Sequence, residues 1–251
     1  VFNEGLSANS STCDLVVFGA HPDDAELCCG GTLALAAAHG RSTAVVDMTG
    51  GELGSLGDAA IRSREAADAA KVLGLTRRIN LGLPDGGVRD SDANRARVVE
   101  VLRELRPQVV IAPPFEDHHP DHMGTADLVR QSFYLSGIRK FQPQAPPWKP
   151  KTLLHHWGSR AFAPQLVVDV SAVFEQRMQA VRCYQSQFGE RQEEGFPLRI
   201  AAKGFLESIE ATLKYFGSLI GVAYGEPYKS ELPLPVSDLV GMFGVEPWKD
   251  R

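Results

Sequence analysis

The sequence predicts a Rossmann-like α/β fold: a doubly wound, mostly parallel sheet flanked by helices, in a single domain over residues 1–251 with 1–13 as an N-terminal extension. Three observations carry this expectation. Short β-branched apolar runs alternate with amphipathic segments through the first half of the chain. The strings richest in His and Asp follow those runs directly, at the carboxyl edge where open α/β sheets bind ligands. The 251 residues are 43% hydrophobic and 23% charged, the make-up of a globular protein whose core needs no disulfide or structural metal.

DLVVFGA (14–20) reads as a fully buried strand, and TLALAAAHG (32–40) as a helix ending on Gly40. STAVVDMT (42–49) is a second strand. IRSREAADAAKVLG (61–74) is a helix with Ile61, Ala66, Ala69, Ala70 and Leu73 mostly on one face. RINLGLP (78–84) is a third strand, and ANRARVVEVLRELR (93–106) a helix that turns Val98, Val99, Leu102 and Leu105 inward before Pro107 stops it. QVVIAPP (108–114) is a fourth strand. Right-handed crossovers then favour the order 3-2-1-4, with strands one and four side by side. The second half offers a helix over 124–134, a Pro-rich connector FQPQAPPWKP (141–150), strands TLLHHW (152–157) and LVVDV (166–170), and helices over 174–184 and 198–216. Two late strands are too few for a second sheet, so they are expected to extend the first.

Charge and hydropathy exclude several classes. Lys and Arg number 26 against 31 Asp and Glu, a net of −5, with no basic block to track a phosphate backbone, so no nucleic-acid partner is expected. The longest strictly apolar run, Leu33 to Ala38, falls far short of the ~20 residues that cross a bilayer. No membrane partner is expected either, and without a signal-like N-terminal string the expected location is cytoplasmic. Cys13, Cys28, Cys29 and Cys183 lack CxxC spacing and read as small packed residues in a reducing compartment.

The loops after the first four strands are HPDDAE (21–26), GGE (50–52), PDGG (84–87) and EDHHPDH (116–122). The first lacks GxGxxG and GxxxxGK[ST], so dinucleotide and triphosphate cradles are absent. His21 and Asp24, three apart on a turn, can instead converge with His122 as two nitrogens and one oxygen. Three protein ligands with an open position describe a catalytic zinc site, and the same set suits Fe(II). Asp23, beside a ligand, can accept a proton, and His119 paired with Asp121 can donate one if the carboxylate raises its pKa. His39 reads as a helix-end residue, His155 and His156 as structural residues far from these loops, and Cys28 and Cys29 as packing. Asp47 and Asp169, inside strand patterns, have a weaker claim to line a cavity.

With HPDDAE after strand one and HPDH (119–122) after strand four, the sequence resembles the LmbE/PIG-L family of zinc-dependent N-acetylglucosamine deacetylases over nearly its whole length. GELGSLG (51–57), IRSREA (61–66), NLGLPDGG (80–87), SGIRKF (136–141), YQSQF (184–188) and GVAYGEPY (221–228) are similar to the branch that deacetylates N-acetylglucosaminyl-malate in bacillithiol biosynthesis. The resemblance implies His21, Asp24 and His122 as ligands of Zn2+, with Fe2+ or another divalent metal as the alternative. It also implies Asp23 as general base, His119 as a protonated oxyanion partner and acid oriented by Asp121, and Tyr224 polarising the acetyl carbonyl. Arg62 would bind a malyl carboxylate through bidentate hydrogen bonds, with Glu52 and His118 also on the substrate. His118 stands where the branch carries an Arg. The resemblance further implies a homo-oligomer, a hexamer, with Ile138 to Phe141 and the Pro-rich connector as its interface. Competing readings are an inositol-linked or chitooligosaccharide substrate, or a metal- or sugar-binding protein without catalysis. An Fe(II) oxygenase is disfavoured because that chemistry usually sits in a double-sheet β barrel.

Overall fold

A computed structural model describes residues 12–142, 144–159, 162–188 and 204–242. Strand β1 (Leu15–Gly19) leads to helix α1 (Asp24–Ala38), β2 (Thr43–Asp47), α2 (Ala59–Leu73), β3 (Arg77–Asn80), α3 (Asp92–Leu105), β4 (Val109–Ala112) and α4 (Pro120–Ser136). The chain continues through β5 (Thr152–His156), β6 (Leu166–Asp169), α5 (Phe174–Arg182), α6 (Gln185–Phe188), α7 (Phe205–Leu219), β7 (Gly225–Ser230) and α8 (Leu239–Met242). The strands form one sheet in the order β3-β2-β1-β4-β5-β7-β6.

The expected 3-2-1-4 order is present, and all its pairings are parallel. LVVFG of β1 is buried on both faces, as a central parallel strand requires. Beneath one face Val17, Val45 and Ile111 pack with Leu33, Ala69 and Leu73. Against the other, Val16, Phe18 and Val46 meet Val98, Leu102 and Leu128. The late strands extend this sheet as expected, but β7 comes between them and runs antiparallel to both neighbours. GEPYKS carries Gly, Pro and two charged residues, so it shows no strand pattern in sequence.

Two helices begin earlier than the periodicity indicates. Helix α1 starts at Asp24, eight residues before the apolar run at 32, and contains the Gly30-Gly31 pair. Gly is costly inside a helix, but here each gives room: a Cβ on Gly30 would lie 2.9 Å from Arg177 Cγ, and one on Gly31 2.7 Å from Val170. Helix α4 starts at Pro120, so HPDH lies in its first turn with Pro at the position that needs no N–H. The helix expected over 198–216 runs to Leu219 and is described from Phe205, and residues 1–11 of the N-terminal extension lie outside the described residues.

The Pro-rich connector is tied to the sheet layer. Buried Arg103 donates to the carbonyls of Ser136, Ile138, Gln142 and Ala145, and Trp148 Nε1 donates to Pro107 O at 2.8 Å. Among the described residues no helix is long and apolar enough to cross a membrane.

Gly31→Ala tests the α1 packing. In an open helix the change gains up to ~1 kcal/mol, whereas here the clash should cost ~1–3 kcal/mol, read as a lower urea midpoint. An unchanged or raised midpoint would refute the close approach.

Candidate metal centre and active site

β1 ends at Gly19 and α1 begins at Asp24, so residues 20–23 turn at the carboxyl edge of the sheet. Asp23 takes φ 118° and ψ −27°, a region that non-glycine residues rarely occupy and that costs ~1–3 kcal/mol. Its surroundings fix it there. Arg62, 4% exposed, donates to Asp23 Oδ2 at 3.1 Å, to Gly51 O at 3.3 Å and to Pro22 O. Gly51 is required for this, since a Cβ would overlap the guanidinium. The His21 N–H donates to Asp24 Oδ2 at 2.9 Å, closing the turn.

Asp24 joins the two motif loops. Its Oδ2 lies 3.6 Å from His21 Nδ1, and its Oδ1 lies 3.3 Å from His122 Nε2. His119 completes the imidazole cluster, 4.7 Å from His21 and 4.8 Å from His122 between ring centroids. Ligand atoms of His21, His119 and His122 all fall within 4.8 Å of one another, and so do those of His21, Asp85 and Asp121. The second group contains a residue the sequence analysis did not single out. Asp85 Oδ1 is 3.2 Å and Asp121 Oδ2 3.3 Å from His21 Nε2, so these carboxylates hold one ring nitrogen and leave Nδ1 toward Asp24. Only its place in the PDGG loop, after the third strand, pointed to Asp85.

Asp121 therefore differs from its expected role. Its carboxylate accepts from Gly86 N–H (2.7 Å), Val88 N–H (3.0 Å) and His21, and orients that ring rather than His119. His119 is held by the Asp121 backbone N–H, which donates to its Nδ1 at 3.2 Å, and this assigns the proton of the neutral ring to Nε2.

Burial pushes Asp23 up to about 7, against the opposing charge of Arg62. Burial would also raise Asp24, but His122 and His21 hold it well below the usual carboxylate range. Burial opposes charge on His21 and His122, yet their carboxylate partners raise them to about 12 and about 10. His119 shifts the other way, lowered by burial and by the charges of His21 and His122, so the expected raised acid is not found. The donor set fits a divalent metal. Two imidazoles and a carboxylate converge, and each imidazole has a carboxylate behind it, as metal-binding histidines commonly do.

The other residues singled out in sequence have partners of their own in the structure. Both terminal nitrogens of Arg62 donate to Asp23 and two carbonyls, so a bidentate grip on a substrate carboxylate would have to replace these contacts. Glu52 is exposed and braces the neighbouring loop, accepting from Gly50 N–H at 3.1 Å and Asp85 N–H at 2.9 Å. His118 is exposed, with Nδ1 3.2 Å from Asp117 Oδ1. The Tyr224 hydroxyl donates to Glu210 Oε1 at 3.2 Å and its ring stacks 3.6 Å from Phe174, which commits it to α7 and α5 in this conformation. His156 is not remote: β5 runs parallel to β4, so it ends at the same edge, where burial lowers it to about 4 and Asp24 and His122 act on it electrostatically. His155, on the other face of the strand, has Nδ1 on Pro113 O and its ring 4.4 Å from Phe115. Asp47 is buried against Arg78, and exposed Asp169 accepts from Ser171 N–H, so neither joins the cluster. Cys28 and Cys29 are free thiols raised by burial, in keeping with packing roles.

Residues 16–133 match the family model PIG-L, described as GlcNAc-PI de-N-acetylase. The conserved protein TT1542 from Thermus thermophilus superposes with TM-score 0.83 at 41% identity, over 91% of this chain and 99% of that one. The N,N'-diacetylchitobiose deacetylase of Pyrococcus horikoshii superposes with TM-score 0.73 at 28% identity, over 86% and 82%. A 1D-myo-inositol 2-acetamido-2-deoxy-alpha-D-glucopyranoside deacetylase of Rhodococcus opacus is 32% identical over 53% of this chain and 58% of its own length. The PIG-L model thus spans both motif loops, and the TT1542 fold superposes over nearly the whole chain.

Proposed function

We propose that the protein is a metal-dependent hydrolase that removes the acetyl group from an N-acetylglucosamine conjugate. The observation that carries this reading is Asp23: a buried carboxyl pushed up to about 7, beside Asp24 and His21 and held by Arg62 in a strained backbone conformation. A general base works best with a pKa near the operating pH. Activity in the PIG-L family and the named activities of the Pyrococcus and Rhodococcus relatives support the substrate class.

A divalent metal held by His21, Asp24 and His122, zinc in this proposal, supplies Lewis acidity and a water of lowered pKa. Asp23 takes the proton from water as the oxygen attacks the acetyl carbon. His119 presents its Nε2–H to the carbonyl oxygen as negative charge develops there. The C–N bond then breaks, releasing acetate, and the amine leaves with the proton that Asp23 returns. This gives Asp23 both transfers, because a lowered His119 is neutral near pH 7 and serves as a hydrogen-bond donor.

Within this class we favour the malate conjugate, on the strings shared with the bacillithiol branch. Since Arg62 is engaged, the cation for a malyl carboxylate is assigned to exposed Arg89, on the loop that carries Asp85. Amine release from N-acetylglucosaminyl-malate, N-acetylglucosaminyl-inositol, diacetylchitobiose and N-acetylglucosamine, with and without chelator, tests both levels. Chelator-sensitive release from any of them supports the deacetylase, and a strong preference for the first supports the finer reading. No release from any, with zinc bound, overturns the proposal.

Asp23→Asn should lower kcat by ~10²–10⁴ with zinc content retained. Equal loss of metal would make Asp23 a ligand. Asp23 acts unprotonated, so kcat/KM should fall as pH drops through the neutral range. Because Arg62 lowers the Asp23 pKa, Arg62→Gln should move that acidic limb to higher pH, and Arg62→Lys should move it less. An unmoved limb in the Gln variant would show that the pair does not tune the base.

A further inference from the structure

Helix α1 has an ion pair pressed into its middle. Arg177 of α5 and Glu226 of β7 are both fully buried, with Nε 3.2 Å from Oε1. Glu226 accepts from the Gly31 N–H at 2.8 Å and from the Thr32 N–H at 2.7 Å, while Arg177 Nη2 donates to the Leu27 carbonyl. In an α-helix the N–H of residue 31 is the partner of the carbonyl of residue 27, so the pair holds both ends of one helical hydrogen bond. Gly31 makes the approach feasible, since a Cβ there would lie 2.9 Å from Glu226 Oε1. Tyr228, also on β7, fastens the same turn with its hydroxyl 2.7 Å from Thr32 Oγ1.

Stability alone does not account for this arrangement. Glycine weakens a helix interior, and a buried ion pair is commonly no more stable than apolar side chains of similar volume. Local rules broken together in this way are expected where a structure serves a site, and the part of α1 that precedes the pair is its first turn. Leu27, whose carbonyl Arg177 holds, donates its own N–H to Asp23 O at 2.9 Å. The next residue is Asp24, which reaches both His21 and His122. We propose that Arg177 and Glu226 are positioning residues that set the first turn of α1 from α5 and β7, and so fix where Asp23 and Asp24 stand between the two motif loops. This rests on the metal-dependent reading of the site and adds to it a support that lies a full helical turn behind the candidate ligand.

The double variant Arg177→Met, Glu226→Met tests this, because it removes both charges with similar side-chain length and leaves the Gly31 N–H free to bond the Leu27 carbonyl. The readouts are a crystal structure of the chelator-treated variant, zinc affinity by competition with a chromogenic chelator, and steady-state kinetics, with the urea midpoint as the control for folding. The expected result is a folded protein in which Asp24 loses at least one of its two imidazole contacts, zinc binding is weakened ~10–100-fold, and kcat falls with KM preserved. Glu226→Gln, which keeps an acceptor oxygen of the same reach, should weaken zinc binding less. Should the double variant fail to fold, Arg177→Lys takes its place, since one ammonium cannot reproduce the guanidinium's separate bonds to Glu226 and Leu27; loss of an Asp24 contact there gives the same support. A folded variant that keeps both Asp24 contacts overturns the proposal. If the parent protein binds no zinc, the deacetylase reading fails by itself, and the Asp24 contacts in the metal-free crystals still decide the role of the pair.

Discussion

Everything at this site depends on β1 and β4 lying side by side and pointing the same way. Leu15 pairs with Val109 and Val17 with Ile111, so the chain leaves both strands at one edge, with helices departing to opposite faces. A crevice opens there because no helix can cover both loops at once. The turn at 20–23 enters it from one side and the first turn of α4 from the other, which is how His21 and His122 come to share Asp24 across 98 residues of sequence. The apolar core has a definite part in this: it holds the strands in register, and the register places the imidazoles.

The second constraint is electrostatic. Each imidazole of the cluster is backed by a specific group: Asp85 and Asp121 on His21, Asp117 on His122, and a backbone N–H on His119. The result is a concentration of carboxylates that a divalent cation would balance. Asp23 is kept out of this arrangement by Arg62, which turns it away as an ion-pair partner while burial keeps its proton affinity near neutrality. Two adjacent aspartates thereby acquire opposite tendencies, Asp24 low and Asp23 high, a separation that suits them to the different tasks proposed above.

Much of this was legible in sequence, and what was not has physical causes. HPDDAE and HHPDH follow apolar runs whose crossover rule already makes them neighbours, so the convergence of His21, Asp24 and His122 needed no coordinates. Asp85 and Asp117 were hidden because their importance is relational: each is an ordinary loop carboxylate until a ring nitrogen is placed beside it. Arg62 misled for the same reason, since a guanidinium three residues into a helix reads equally well as facing substrate or Asp23. His156 was misplaced because the direction of β5 is set by a connector that Arg103 folds back, and nothing local encodes that. β7 was missed because its residues are chosen for partners: Glu226 accepts from the Gly31 and Thr32 N–H groups and pairs with Arg177, which fixes a strand that alternation would not suggest.

The decisive measurement is anomalous X-ray scattering at the zinc edge, from crystals grown with zinc. A metal held between the two motif loops gives one peak at about 2.0–2.2 Å from His21 Nδ1, His122 Nε2 and an oxygen of Asp24, with Asp23 outside bonding distance. A peak seated between His21 Nε2, Asp85 and Asp121, or one bonded to Asp23, would contradict this assignment of ligands and base.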